Sequence, residues 1–187
     1  MEKVIAWLDV EANGRTPNVH ALLEVGMVVT NFQGEELTNP YTALVTVSDL
    51  KSVMAAADPL VKRMHDHSNL WSDLWEQDSK KVDLIDQELC EILSHFDEKT
   101  TFFLGGNSIT LDRGFADIYL PEFHSVISHM SIDATSIASV LQENIAAPRF
   151  YKRSSHRALP DVFDSIDEYK YYLQFILGTK TSLNTED

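Results

Sequence analysis

The sequence predicts an α/β domain built on a mixed five-stranded sheet with helices on both faces. The N-terminal part consists of apolar, strand-like runs separated by a turn, which is typical of an antiparallel meander. The remainder alternates segments of helical periodicity with short β-branched or aromatic runs, which favours helices packed on a sheet. The 187 residues, 44% of them apolar, suffice for one well-packed core. We expect one domain over residues 1–178 and a frayed tail over 179–187.

The first predicted strand, at about residues 3–11, is apolar on both faces, with alternating positions occupied by Val4, Ile5, Ala6, Trp7 and Leu8. Two apolar faces are typical of a strand at the centre of a sheet. Segments 21–30 and 41–47 predict the second and third strands, which a turn at 31–35 joins. Within the second strand we expect a structural role for Glu24 and a close backbone approach at Gly26.

The later elements follow from their periodicity and their start signals. Asp58 and Pro59 predict the start of a short helix, because proline is favoured in a first turn. Segments 101–104 and 130–133 predict the fourth and fifth strands. Apolar residues at helical spacing and turn signals predict the other helices, at about 80–97, 108–119, 135–144 and 158–177.

Acidic side chains stand together at the end of the first predicted strand. Asp9 and Glu11 are two residues apart, so both carboxylates point to the same face. Two such carboxylates repel each other and lose hydration, and a bound divalent cation is the usual compensation. Asp112 and Asp161 are expected in the first turns of two helices, where acids also interact favourably with the helix dipole. The sequence therefore predicts a metal site at Asp9 and Glu11.

Composition limits the classes of function and the cellular compartment that we expect. The formal net charge of −14 disfavours non-specific binding of long nucleic acids, because phosphate neutralisation supplies most of that affinity. The single cysteine, Cys90, excludes an internal disulfide and a cysteine-based zinc site. The N-terminus shows no signal-peptide pattern, and no apolar stretch is long enough to cross a membrane. We therefore expect a cytoplasmic protein with no membrane partner.

The acids also stand in a specific order with one histidine. The motifs that carry them are Trp7-Leu8-Asp9-Val10-Glu11, then Gly106-Asn107-Ser108-Ile109 with Asp112, and last His156-Arg157-Ala158-Leu159 with Asp161. In this order the sequence resembles the DEDDh family of 3′→5′ exonucleases, which share an RNase H-like fold. The resemblance covers nearly the whole chain and sharpens to the oligoribonuclease branch.

The resemblance implies an exoribonuclease that hydrolyses short RNA oligonucleotides, or short DNA, to 5′-mononucleotides. It implies two Mg²⁺ or Mn²⁺ ions roughly 4 Å apart, with Asp9 as the bridging ligand. Glu11 and Asp161 would complete the first metal site, and Asp112 would hold the second through water. His156 is implied as the general base, since the reference pKa of histidine lies near neutral pH. A homodimer is a further expectation from the family.

The sequence departs from the oligoribonuclease pattern at substrate-binding positions. Arg15 follows Gly14 at the place where a leucine typically wedges between the two bases of a dinucleotide. His129 and Met130 stand where a tyrosine and an arginine of the partner subunit cap the 5′ phosphate. These departures leave the preferred substrate length open.

Other substrate-binding positions keep the pattern, since Ser108 and His65 match residues that line the family's pocket. We expect substrate contacts from Gly14, Arg15, His65, Ser108 and His129. Two alternatives remain beside the short-RNA exonuclease. One is a DEDDh exonuclease that acts on DNA ends or on longer strands, and the other is an inactive module that binds a nucleotide end.

Overall fold

The computed structural model describes residues 2–153 and 155–183, with side chains described as far as residue 178. Five strands are formed by β1 (Lys3–Ala12), β2 (Leu22–Thr30), β3 (Tyr41–Leu44), β4 (Thr101–Gly106) and β5 (Ile127–Asp133). The helices are α1 (Leu50–Ala55), α2 (Pro59–His67), α3 (Leu70–Glu76), α4 (Val82–Ser94), α5 (Thr110–Tyr119), α6 (Pro121–Val126), α7 (Ala134–Ile145) and α8 (Ala158–Leu183).

The strands form one mixed sheet in the order β3-β2-β1-β4-β5. β1, β2 and β3 pair antiparallel, whereas β4 pairs parallel to β1 and β5 pairs parallel to β4. The predicted meander and the predicted mixed five-stranded sheet are therefore confirmed. In the register of β1 and β2, Asp9 lies opposite Gly26 and Glu11 lies opposite Glu24.

The two faces of β1 are buried in different apolar clusters, as the alternation of its residues predicts. Val4, Ala6 and Leu8 pack in the cluster that also contains residues of α4, α5 and α6. Ile5 and Trp7 pack in the cluster that contains residues of α7 and α8. The helices thus cover both faces of the sheet, and Asp9 and Glu11 continue the row of residues that faces α8.

Three short helices, α1, α3 and α6, were not predicted. Each has only six or seven residues, so the apolar periodicity that identifies longer helices cannot develop. Their start signals are also local: Asp49 caps α1 by accepting from the backbone N–H of Ser52, whereas Asn69 precedes α3 in the left-handed region, with a φ of 60°.

Some predicted boundaries also differ from the structure. β3 ends at Leu44 rather than at residue 47, and β5 begins at Ile127, three residues earlier than predicted. α8 ends at Leu183, beyond the predicted helix end at residue 177, and the expectation of a frayed tail over 179–187 stays a prediction. Residues 184–187 of that predicted tail lie outside the described residues.

In the part of the chain that the structure describes, no helix is both long enough and apolar enough to cross a membrane.

Candidate active site

Three carboxylates converge where β1 meets the start of α8. Asp9 and Glu11 come from β1, and Asp161 comes from the first turn of α8. One carboxylate oxygen of each lies within 4.8 Å of the others. The strand period places Asp9 and Glu11 on one face of β1. Asp161 follows Pro160, which the helix tolerates because it stands in the first turn. Oxygen atoms at this spacing are the ligands that Mg²⁺ and Mn²⁺ prefer.

Asp112 approaches the same end of β1 from the side of α5. Its side chain is buried, and its Oδ1 accepts a hydrogen bond from the backbone N–H of Val10 at 3.1 Å. Asp112 is not one of the three converging carboxylates, but it is the charged neighbour that raises the pKa of Asp9 most. The structure thus brings all four predicted acids to one place, with Asp112 at its margin.

Burial and mutual repulsion favour the protonated forms of these acids in the metal-free protein. Burial raises the pKa of Glu11 to about 8, and repulsion from Asp161 and Glu24 adds to the effect. Burial is also the main reason that the pKa of Asp9 lies well above its ordinary value and that the pKa of Asp112 rises to about 7. A divalent cation would compensate this charge, so the donor set fits a metal site.

His156 directly follows a residue that contacts the acidic cluster. The preceding residue, Ser155, donates from its backbone N–H and from its hydroxyl to Oδ1 of Asp161, at 3.2 and 2.9 Å. Burial raises the pKa of Asp161, while these hydrogen bonds and the nearby His156 partly lower it. The backbone of His156 is in the left-handed region, with a φ of 53°. The predicted general base is therefore close to the predicted metal ligands.

His65 is placed differently from the expectation that it lines the substrate pocket. Its side chain is fully buried, and Nε2 lies 2.9 Å from the carbonyl oxygen of Ala12. Nδ1 has no hydrogen-bond partner and lies 3.8 Å from Oε2 of Glu11. The ring packs edge-on against Trp71. His65 is therefore closed to a substrate group in this structure, because α2 places it behind Glu11 and against the end of β1.

The loop after β1 forms one wall of a cavity of about 200 Å³ beside Glu11. Gly14 has no side chain, and the ring of His20 occupies the space that a side chain at this position would need. Arg15 is largely exposed at the mouth, where its Nη2 lies 3.9 Å from Oδ2 of Asp58. The rest of the lining is mainly apolar and comes from Val10, Ala12, Leu60, Val61, Met64, Leu111 and Phe115.

The remaining predicted substrate residues, Ser108 and His129, are both exposed. Ser108 has a left-handed backbone, and its N–H donates to Oδ1 of Asp133 at 3.2 Å. His129 is exposed on β5, next to Met130. Arg113 of α5 donates to the backbone carbonyl of Met130 at 3.3 Å. Neither Ser108 nor His129 belongs to the carboxylate cluster.

Two contributions to the site were not predicted from the sequence. Ser155 orients Asp161, and His20 fills the space above Gly14. Both are polar residues in irregular segments, and no periodicity or motif distinguishes them from ordinary loop residues. The position of Ser155, one residue before the predicted base, is the one signal that points to it.

The sequence is similar to several curated proteins along nearly its whole length. It is 34% identical to the oligoribonuclease of Tropheryma whipplei (strain Twist) over 184 residues, which cover 94% of this chain and 95% of that protein. It is 28% identical to the oligoribonuclease of Rhodococcus jostii (strain RHA1), covering 100% and 94% of the two chains. No protein-family model matches the sequence.

Solved structures support the fold. A zinc-bound complex of E. coli exonuclease I with single-stranded DNA superimposes with a TM-score of 0.65 at 11% identity, covering 95% of this chain and 43% of that chain. A second complex of the same enzyme, with a 5cy-dA13 oligonucleotide, gives a TM-score of 0.68 at 10% identity, covering 91% and 40%. The superimposed solved chains are more than twice as long as the part of them that this chain covers. Their similarity over nearly all of this chain confirms the predicted RNase H-like fold.

Proposed function

The chain belongs to the oligoribonuclease family, and we propose that it is a metal-dependent 3′→5′ exonuclease that degrades short RNA oligonucleotides to 5′-mononucleotides. The observation that carries this proposal is the convergence of Asp9, Glu11 and Asp161 within 4.8 Å. Such a cluster is costly without a cation, and phosphodiester hydrolysis is a reaction that divalent cations accelerate.

The residues present would hold two Mg²⁺ or Mn²⁺ ions. Asp9, Glu11 and Asp161 would ligate the first ion, and Asp9 would also contact the second. Asp112 would hold the second ion through water, since it lies at the margin of the cluster. The bound ions would supply positive charge over the scissile phosphate as the transition state forms.

His156 would remove the proton from the attacking water. The water oxygen would then bond to phosphorus as the bond from phosphorus to the 3′ oxygen of the preceding nucleotide breaks, and that 3′ oxygen would take up a proton from solvent. The products are a 5′-mononucleotide and an oligonucleotide shortened by one residue, with a free 3′ hydroxyl. An imidazole suits this step because its reference pKa lies near neutral pH.

The cavity beside Glu11 is the proposed place for the terminal nucleotide. Its apolar lining suits a base, and a nucleotide bound there would have its phosphate near the carboxylates, since Glu11 is part of the lining. Arg15 at the mouth could stack on a second base or pair with a phosphate. The net charge of −14 favours short substrates, since the affinity for longer strands depends on many phosphate contacts.

Two further features belong to the proposal. A homodimer would bring the exposed residues around His129 of one protomer to the active site of the other. Cytoplasmic localisation would place the enzyme with short RNA fragments and would keep Cys90 reduced.

The test is product analysis with 5′-labelled RNA and DNA of two to about twenty nucleotides, with Mg²⁺ or Mn²⁺ and with a chelator. Asp9→Ala and His156→Ala serve as inactive controls. We expect stepwise shortening from the 3′ end, fastest on the shortest RNA, and no turnover with the chelator. Faster turnover of DNA or of the longest strands would favour the alternative exonuclease. Tight binding of a nucleotide end without any product would favour the inactive module.

A further inference from the structure

Arg157, the residue that follows His156, holds three parts of the fold together. Its Nε and Nη2 donate to the two carboxylate oxygens of Glu24 in β2, at 3.1 and 2.9 Å. Its Nη1 donates to Oδ2 of Asp73 in α3 at 2.6 Å. Glu24 is almost fully buried, and Arg157 is about three-quarters buried. A planar guanidinium can make this paired contact to one acid and a third bond to another, which an ammonium group cannot do.

Glu24 also holds the backbone at the start of α8. Its Oε2 accepts a hydrogen bond from the N–H of Ala158 at 3.0 Å. Gly26, two residues along β2, permits the close approach, since a side chain there would lie 2.6 Å from the backbone of Ala158 and Leu159. One buried carboxylate therefore fixes both the side chain of residue 157 and the backbone of residue 158.

The charge of Glu24 requires a partner at this place. Glu24 lies directly opposite Glu11 in the pairing of β1 and β2, and like charges across a strand pair destabilise each other. Arg157 acts in the opposite sense and partly offsets the repulsion at Glu11. The ion pair thus permits a buried acid beside the proposed metal ligands.

The two chain neighbours of His156 are both held by hydrogen bonds. On its N-terminal side, Ser155 is bonded to Asp161, and on its C-terminal side, Arg157 is bonded to Glu24 and Asp73. A non-glycine residue in the left-handed region is strained and persists only when its surroundings impose that backbone conformation. With a φ of 53°, His156 needs such surroundings.

We propose that Arg157 is a positioning residue, which holds the imidazole of His156 in place by tying its segment to Glu24 of β2 and Asp73 of α3. This inference rests on the proposed function, in which His156 is the general base. Through Asp73 it also links the base to α3, which packs against α2. Arg157 itself does not touch the reacting atoms.

The experiment compares Arg157→Lys and Arg157→Ala with Arg153→Ala as the matched control. Arg153 belongs to the same segment, and its side chain pairs with Asp164 and Asp167 on α8, away from Glu24. Single-turnover rates, KM for a dinucleotide, the melting temperature and Mn²⁺ affinity are measured for each variant. Rates are taken well below the melting temperature, so that all the protein is folded.

We expect Arg157→Ala to lower the rate of the chemical step about 10- to 100-fold, the range seen when a residue supporting a catalytic group is removed. KM should change less than about twofold, because the residues that line the cavity are not altered. Mn²⁺ affinity reports separately the loss of the positive charge that offsets the repulsion at Glu11. Arg157→Lys should recover only part of the rate, since it keeps the charge but loses the paired geometry. Added guanidinium should raise the rate of Arg157→Ala but not that of Arg153→Ala.

The proposal is overturned if Arg157→Ala lowers the melting temperature while its rate per folded molecule stays at the wild-type value. That result would assign Arg157 a purely structural role. His156→Ala separates this outcome from a failure of the proposed function. If His156→Ala retains full activity, the assignment of the base is wrong, whereas an inactive His156→Ala beside an unaffected Arg157→Ala contradicts only the positioning role.

Discussion

The carboxylate of Asp112 accepts a hydrogen bond from the backbone N–H of Val10, the residue between Asp9 and Glu11, at 3.1 Å. This bond connects α5 to the β1 segment that carries two of the converging acids. Asp112 therefore combines two properties that substitution can separate: it accepts a bond that holds the strand, and it carries a charge that a second metal ion would require.

Asp112→Asn should remove the charge and keep the acceptor. We expect a loss of turnover on the order of 10²-fold or more, with a melting temperature equal to or above that of the wild type, because repulsion of Asp9 is relieved. Asp112→Ala should lose the same activity and also about 1–3 kcal/mol of stability through the unpaired N–H of Val10. Thermal unfolding and turnover assays check both. Equal stability of the two variants would contradict the role of this hydrogen bond.

Glu11 should make the stability of the metal-free protein fall as pH rises. Its pKa in the folded state is about 8, against an ordinary value of 4.5. Between these values the folded protein holds a proton that the unfolded chain releases, which stabilises the fold at low pH and is lost as pH approaches 8. The slope for one such proton approaches about 1.4 kcal/mol per pH unit.

Denaturant unfolding between pH 5 and pH 8 in the presence of a chelator measures this slope. Glu11→Gln, which cannot ionise, should flatten the profile. Mn²⁺ should raise the melting temperature of the wild type more at pH 8 than at pH 6, because metal binding displaces protons from its ligands. A metal effect that is independent of pH would argue against protonated acids in the metal-free site.

Gly26→Ala should destabilise the fold and the site together. The added methyl group would lie 2.6 Å from the backbone of Ala158 and Leu159, so β2 and the start of α8 must separate. We expect a cost of about 1–3 kcal/mol, or roughly 2–4 °C in melting temperature per kcal/mol for a chain of this size. Turnover per folded molecule should also fall, since Asp161 and His156 adjoin the displaced segment.

Gly178→Ala is the matched control for that substitution. Gly178 also belongs to α8, but a methyl group there meets no atom within 4 Å. We expect unchanged activity and a gain of about 0.5–1 kcal/mol, because alanine loses less backbone freedom in a helix. Similar losses of stability in both variants would show that the packing at Gly26 is not the cause.

Arg15→Leu should shift the substrate preference toward dinucleotides. Arg15 is at the mouth of the cavity beside Glu11, where a leucine would offer an apolar surface to a base. A gain of about 1 kcal/mol from partial burial corresponds to roughly a fivefold change in the ratio of kcat/KM for two- and eight-nucleotide RNA. Arg15→Ala controls for the loss of the arginine, and an equal shift in both variants would exclude the apolar contact.

The fold and the acids could be predicted because short-range patterns determine them. The strand period aligns Asp9 with Glu11, and Pro160 marks the turn in which Asp161 lies. The burial of His65 could not be predicted, because it depends on how α2 packs against Ala12 at the end of β1 and against Trp71 of α3. The same limit applies to the ion pair of Glu24 and Arg157, whose partners are separated by 133 positions.

The burial of β1 between two apolar clusters has a consequence for the lifetime of the site. Opening β1 disrupts packing on both sides of the sheet, so the amides of Ala6 and Leu8 should exchange with solvent only through global unfolding. Asp9 and Glu11 lie in the same strand, so we expect their backbone to be released equally slowly. His156 lies in a segment that is held by the side-chain bonds of Ser155 and Arg157, and we expect this segment to open more readily than β1. We therefore expect Asp9 and Glu11 to keep their positions on a longer timescale than His156.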